Sequence, residues 1–161
     1  MADLTVTITE SVTLNSVDQG ATTSLTIGSV VETFKRIVSC PTDTTIATFR
    51  STPSDGSLSD GALDVEDVRY IRVTNLDSTN PVNLSLQIDV GEDDSAADAS
   101  CTILLEAGKS FIMGSPSDGI VVNSAGATPI TALSSLVNLE SIIVDPLSEA
   151  CKVEVFIASV V

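Results

Sequence analysis

Apolar and polar residues alternate along most of this chain, and a period of two admits few structures other than β-strands. Leu4, Val6, Ile8, Val12 and Leu14 occupy even positions, with Thr5, Thr7, Thr9 and Thr13 between them. Successive side chains of a strand point to opposite faces, so this segment carries one apolar face and one threonine face. Threonine is β-branched and polar, which suits the wet side of a sheet. Val82, Leu84, Leu86, Ile88 and Val90 repeat the pattern against Asn83, Ser85, Gln87 and Asp89. Val68–Asn75 (VRYIRVTN) is a further strand. Only LDSTNP, in which Pro81 biases Asn80 to extended geometry, separates it from the next. The two read as a hairpin with a longer loop.

The remaining segments extend the series. Thr22–Ile27 is rich in β-branched residues, and Val30, Phe34, Val38 and Cys40 alternate with Glu32 and Arg36. A helix over 31–38 competes with a strand there. Gly28 and the β-branched content favour the strand, which Pro41 ends. Short strands are expected at 46–50, 101–106, 110–113, 120–123, 140–144 and 152–161. Loops are expected at 51–67, with SDG at Ser54–Gly56 and Ser59–Gly61, at 91–100, and at 114–119, where SDG occurs again. Asp and Gly both tolerate positive φ, so each SDG is turn chemistry. Thr131–Leu139 is the one place for a short helix, because Leu133, Leu136 and Val137 share a helical face.

About nine or ten short strands without alternating helices exclude a parallel doubly wound fold. The expected architecture is all-β: an antiparallel β-sandwich, jelly-roll-like, with at most one short helix. The strand order stays open. The 161 residues suit a single domain, 1–161. Its core is expected to be Val, Ile and Leu, with Phe34, Phe49, Phe111 and Phe156 as the large pieces.

Composition narrows the chemistry. The chain has no histidine, which removes Ser-His-Asp and Cys-His catalysis, His-ligated zinc and a histidine pH switch. With no tryptophan and one tyrosine, Tyr70, it lacks material for a base-stacking or aromatic carbohydrate platform. Asp and Glu number 22 against seven Lys and Arg, a net charge of −15 that phosphate backbones and anionic lipid repel. Neither nucleic acid nor membrane is therefore an expected partner. No run approaches the length of a membrane span, and MADLTVTITE lacks the basic and apolar blocks of a secretory signal. Charged residues are only 18%, and 18 Thr and 22 Ser supply much of the polarity. A hydroxyl-rich surface needs little desolvation when covered, so it suits protein contact and self-association.

Cys40, Cys101 and Cys151 are widely spaced and form no CxxC pair. They read as three small buried hydrophobes with free thiols. A zinc site from three cysteines and a carboxylate lacks the clustered spacing it needs. Gly108–Ser110 (GKS) lacks the P-loop glycine five residues before Gly108, where Ile103 stands, and reads as a tight turn. Asp89, Glu92, Asp93, Asp94 and Asp98 offer oxygen ligands without an EF-hand register, as do Asp55, Asp60, Asp64, Glu66 and Asp67. Solvated acidic loops account for both groups. Arg72 and Tyr70 share a strand face and Arg69 takes the other, for ion pairing either across a subunit boundary or within one subunit. Asn83-Leu84-Ser85 is a formal glycosylation sequon, read as irrelevant without a signal peptide. No nucleophile–base pair assembles, so no catalytic residue, cofactor or metal is assigned and the chain is not read as an enzyme.

MADLTVTITESVTLN, RYIRVTNLDSTNPVNLSLQI, LLEAGKSFIM and KVEVFIASVV resemble segments of small β-rich virion proteins of tailed bacteriophages, of the marine and cyanophage type. The resemblance implies a capsid decoration or cement protein that binds and stabilises the major capsid protein lattice. It implies a homo-oligomer on the outside of the virion, made in the host cytoplasm. A tail, adaptor or spike component is the alternative within the particle. A carbohydrate- or calcium-binding β-sandwich module is the alternative outside it.

Overall fold

A computed structural model describes residues 2–50, 63–88, 99–115, 120 and 139–160. These hold twelve strands and no helix. They are β1 (Ala2–Thr9), β2 (Thr13–Leu14), β3 (Val17–Asp18), β4 (Thr22–Cys40), β5 (Thr44–Arg50) and β6 (Leu63–Asp64). The series continues with β7 (Val68–Asn75), β8 (Val82–Ile88), β9 (Ala99–Leu105), β10 (Ser110–Gly114), β11 (Leu139–Asp145) and β12 (Cys151–Val160).

Two five-stranded sheets form, in the orders β1-β4-β12-β7-β10 and β6-β5-β11-β8-β9. Their antiparallel pairs are nested in sequence: β8 with β9, β7 with β10, β5 with β11, and β4 with β12. Nested pairing is what results when one long hairpin is rolled up and its successive pairs are dealt to alternate sheets. That is the jelly-roll order, which the sequence left open; the expected all-β antiparallel sandwich is what forms. Among the described residues the single parallel contact is Phe49–Arg50 of β5 against Leu63–Asp64 of β6, the latter inside the segment expected to be loop.

The alternation read from the sequence becomes the core. Val82, Leu84, Leu86 and Ile88 of β8 are buried and their neighbours half-buried. Val153, Val155 and Ile157 of β12 lie with Ile142 and Val144 of β11 in one buried cluster that joins both sheets. Full burial of such a side chain contributes about 1.5–3 kcal/mol each.

Four expectations need correction. The segments 68–75 and 82–88 are strands, but they belong to opposite sheets and do not form a hairpin. Their apolar faces are both needed on the same core from opposite sides, which alternation alone does not reveal. Asn75 builds the corner between them. Its fully buried amide donates to the carbonyls of Asn80 (2.9 Å) and Leu105 (3.2 Å), and its Oδ1 accepts from the Asp77 amide (3.0 Å). Secondly, Thr22–Ile27 and Val30–Cys40 form one strand of 19 residues. Thirdly, Phe49 is buried in the main core and Phe34 and Phe111 pack against it, whereas Phe156 faces outward into a second cluster. Fourthly, Cys101 is exposed, because β9 is the edge strand of its sheet. The helix expected at 131–139 and the strand at 120–123 fall almost wholly outside the described residues. Leu139 itself begins β11, and Ile120 is buried outside any strand.

Candidate interaction surface

The long strand β4 changes partner midway. Its first half pairs with β1 (Thr9↔Thr22 to Ala2↔Val30) and its second half with β12 (Val30↔Val160 to Cys40↔Cys151). The register shifts in both ladders next to Val30, and Ser29, after Gly28, has φ 60°. A bulge of this kind bends and re-aims a strand. Beyond it, β1 and β4 leave the sandwich as a two-stranded ribbon.

The ribbon keeps one register down to its tip. Glu10 donates to the Ala21 carbonyl and Gln19 to the Val12 carbonyl, both at 2.8 Å. Thr13 faces Asp18, and Leu14 faces Val17. Asn15 and Ser16 close the hairpin at φ 52° and 62°, the two positive values of a type I′ turn. Gly20 makes the neck narrow: a Cβ there would sit 2.3 Å from the Glu10 carbonyl oxygen.

A single apolar stripe runs the length of this ribbon and meets two fates. Near the sandwich, Leu4, Val6, Leu25 and buried Ile27 pack over the outer face of the first sheet, against Tyr70, Phe156 and Ala158. The sheet curls so far that Leu25 approaches Gly114 on the opposite edge strand; a Cβ on Gly114 would lie 2.9 Å from Leu25 Cδ2. Farther out the stripe continues uncovered, with Ile8 50%, Val12 52%, Leu14 62% and Val17 54% exposed. From Thr7 to Ser24 every residue but Gly20 is exposed. No cation precedes Lys35 in the sequence, so Asp3, Glu10 and Asp18 leave the ribbon acidic.

Between the ribbon and the curled sheet lies an open groove of about 500 Å³, lined by Leu4, Val6, Tyr70, Arg72, Ile112 and Phe156 among others. Its two cations share one carboxylate. Glu154 accepts from Arg72 on one oxygen and lies 3.3 Å from Lys35 Nζ on the other. The Arg72 guanidinium also stands 6.0 Å above the Phe156 ring, and Tyr70 meets that ring edge-on at 5.9 Å. Burial pushes the Tyr70 hydroxyl above its ordinary pKa, against the opposing influence of Arg72. Arg72 is thus paired within its own subunit, and Arg69 donates to the carbonyls of Glu66 and Val68.

The other residues singled out from sequence separate in space. Gly108 (φ 69°) and exposed Lys109 form a turn closed by the Lys109 amide on the Glu106 carbonyl (3.1 Å); it links the two sheets. Asn83 donates to Asp145 Oδ2 (3.2 Å), so the sequon amide is engaged. Asp89, Glu92, Asp93, Asp94, Asp98, Asp55 and Asp60 lie outside the described residues. Asp64 accepts from the Glu66 amide at 3.1 Å. Among the described residues no three His, Cys, Asp or Glu side chains converge as a metal site. The exposed distal stripe escaped sequence reading, since its alternation looks the same as that of a core strand. The one available signal was the close-set Asn15-Ser16 turn between Leu14 and Val17.

Comparison with known proteins finds no matching family model, no matching curated protein and no matching solved structure.

Proposed function

We propose that this chain is a structural protein of a tailed-phage virion, a decoration (cement) protein that clamps neighbouring capsid subunits from outside. The observation that carries the reading is the projecting ribbon with four uncovered apolar side chains. An isolated two-stranded hairpin is marginal in water, so a ribbon of this length gains most of its order from what it lies against. Covering Ile8, Val12, Leu14 and Val17, each about half exposed, contributes roughly 4 kcal/mol of gross driving force per copy. Repetition over a lattice multiplies that through avidity. The jelly-roll body and the resemblance of four sequence segments point the same way. The −15 charge favours a position away from packaged DNA. The groove supports a ligand-binding role less well, because its two cations are already paired with Glu154.

Peptide counting on purified particles tests the proposal. A cement role predicts copies in proportion to the shell subunits, while a tail or spike role predicts a small fixed number. Absence from particles contradicts both. A Leu14→Asp, Val17→Asp double variant should fold normally and fail to attach to shells.

A further inference from the structure

Cys40 and Cys151 are direct partners in the β4–β12 ladder, the last residue of one strand against the first of the other. Both side chains are buried on the inner face and both thiols are free. Directly opposed residues of an antiparallel pair have Cα atoms about 4.5 or 5.5 Å apart, depending on the hydrogen-bonding position. A disulfide spans about 4.4–6.8 Å between Cα atoms, and either separation falls within that range. The register thus brings together two cysteines that 110 intervening residues separate in sequence. Cys101, exposed on β9, takes no part in that ladder.

We infer that Cys40 and Cys151 form a dithiol–disulfide pair, a cross-strand staple that closes under a small-molecule disulfide oxidant and ties the end of β4 to the start of β12. One cysteine thiolate attacks the oxidant's S–S bond and expels a thiolate. The second cysteine thiolate then attacks the mixed disulfide and expels the other half. Two cysteine S–H bonds are lost and one S–S bond forms. The oxidant is reduced to two thiols, which carry off the two protons.

Two physical features shape how the staple closes. Burial, with Cys151 beside it, pushes the Cys40 thiol up to about 11, and burial also raises Cys151. Thiolate is the attacking form, so the closed native state reacts slowly. Exposed Pro41–Asp43 and Leu147–Ala150 flank the pair, and fraying of these strand ends opens it to the oxidant. The bridge joins the first and last long strands of the roll, so it restricts the unfolded chain over most of its length.

The test is a thiol–disulfide equilibrium on the full-length Cys101→Ser variant, which has one pairing available. It is brought to equilibrium from both the reduced and oxidised sides in glutathione buffers, folded and in strong urea. The inference predicts loss of two hydrogens by mass and a Cys40–Cys151 cross-linked peptide. It also predicts that the folded chain holds its bridge about 30-fold or more tighter against glutathione than the urea-unfolded chain. Equal or weaker bridging in the folded chain overturns it. So does oxidised wild-type protein whose bridges run through Cys101.

Discussion

The two halves of the ribbon's apolar stripe carry the same sequence grammar and end in different surroundings. Leu4 and Val6 reach the outer face of their own sheet, beside Tyr70, Phe156 and Ala158. Val12 and Leu14, in the same alternation, overshoot the sandwich and stay more than half exposed. Period two reports that one face of a strand is apolar; it does not report whose surface covers that face. Where the fold supplies a facing sheet, alternation is core. Where the chain runs past the sheet, the same alternation leaves an apolar face exposed.

The largest expected contrast is in stability. Ile142, fully buried at the centre of β11, should lose about 3 kcal/mol when cut to alanine, through lost transfer energy and a residual cavity. Leu14→Ala should change stability by less than about 0.5 kcal/mol, because that side chain is 62% exposed. Denaturant titration of both variants measures the gap. Comparable losses would mean that the distal stripe is part of the folded core.

Asn75→Ala should follow, at about 2 kcal/mol, because it leaves the buried carbonyl of Leu105 without its side-chain donor and unmakes the corner between sheets. Gly20→Ala sharpens the comparison from the other side. The collision with Glu10 should open the neck and speed amide exchange from Glu10 to Ala21, with a global loss below about 1 kcal/mol. Exchange accelerated equally at the core strands would contradict the separation of ribbon from body.

A further effect is an alkaline one. Cys40 titrates near 11 in the fold and near 9.0 when unfolded, so between those values the native state holds the extra proton. Stability therefore falls as pH rises from about 9 to 11, and Cys40→Ser should flatten that limb. Asp77 acts in the opposite sense at the corner. Amides of Asn80 and Thr79 hold its carboxyl below 3.8, so its contribution is present above that value and fades as pH falls through the folded value.

Much of the body was legible in the sequence. The strands at 68–75, 82–88 and 110–114 follow from alternation and turn residues within a residue or two, and the all-β antiparallel class follows from their number and spacing, with which a jelly roll is compatible. Pairing was less legible. Asn75 and Asp77 look like ordinary turn residues in LDSTN, yet their hydrogen bonds send β8 to the other sheet. The partner switch in β4 depends on a bulge at Gly28-Ser29, which reads in sequence as a mere interruption. The meeting of Cys40 with Cys151 needs the whole topology. Aspartates 89, 93, 94 and 98 lie outside the described residues, so the structure does not bear on the loop expected there.

The central claim is that the distal ribbon is the attachment element. Amide hydrogen exchange on the protein free and bound to capsid shells addresses it most directly. The account predicts fast exchange at 10–21 in the free protein and strong protection of the same amides on the shell, with the β8, β11 and β12 amides protected in both states. Unchanged exchange at 10–21, with new protection confined to the β8–β9 side, would contradict it.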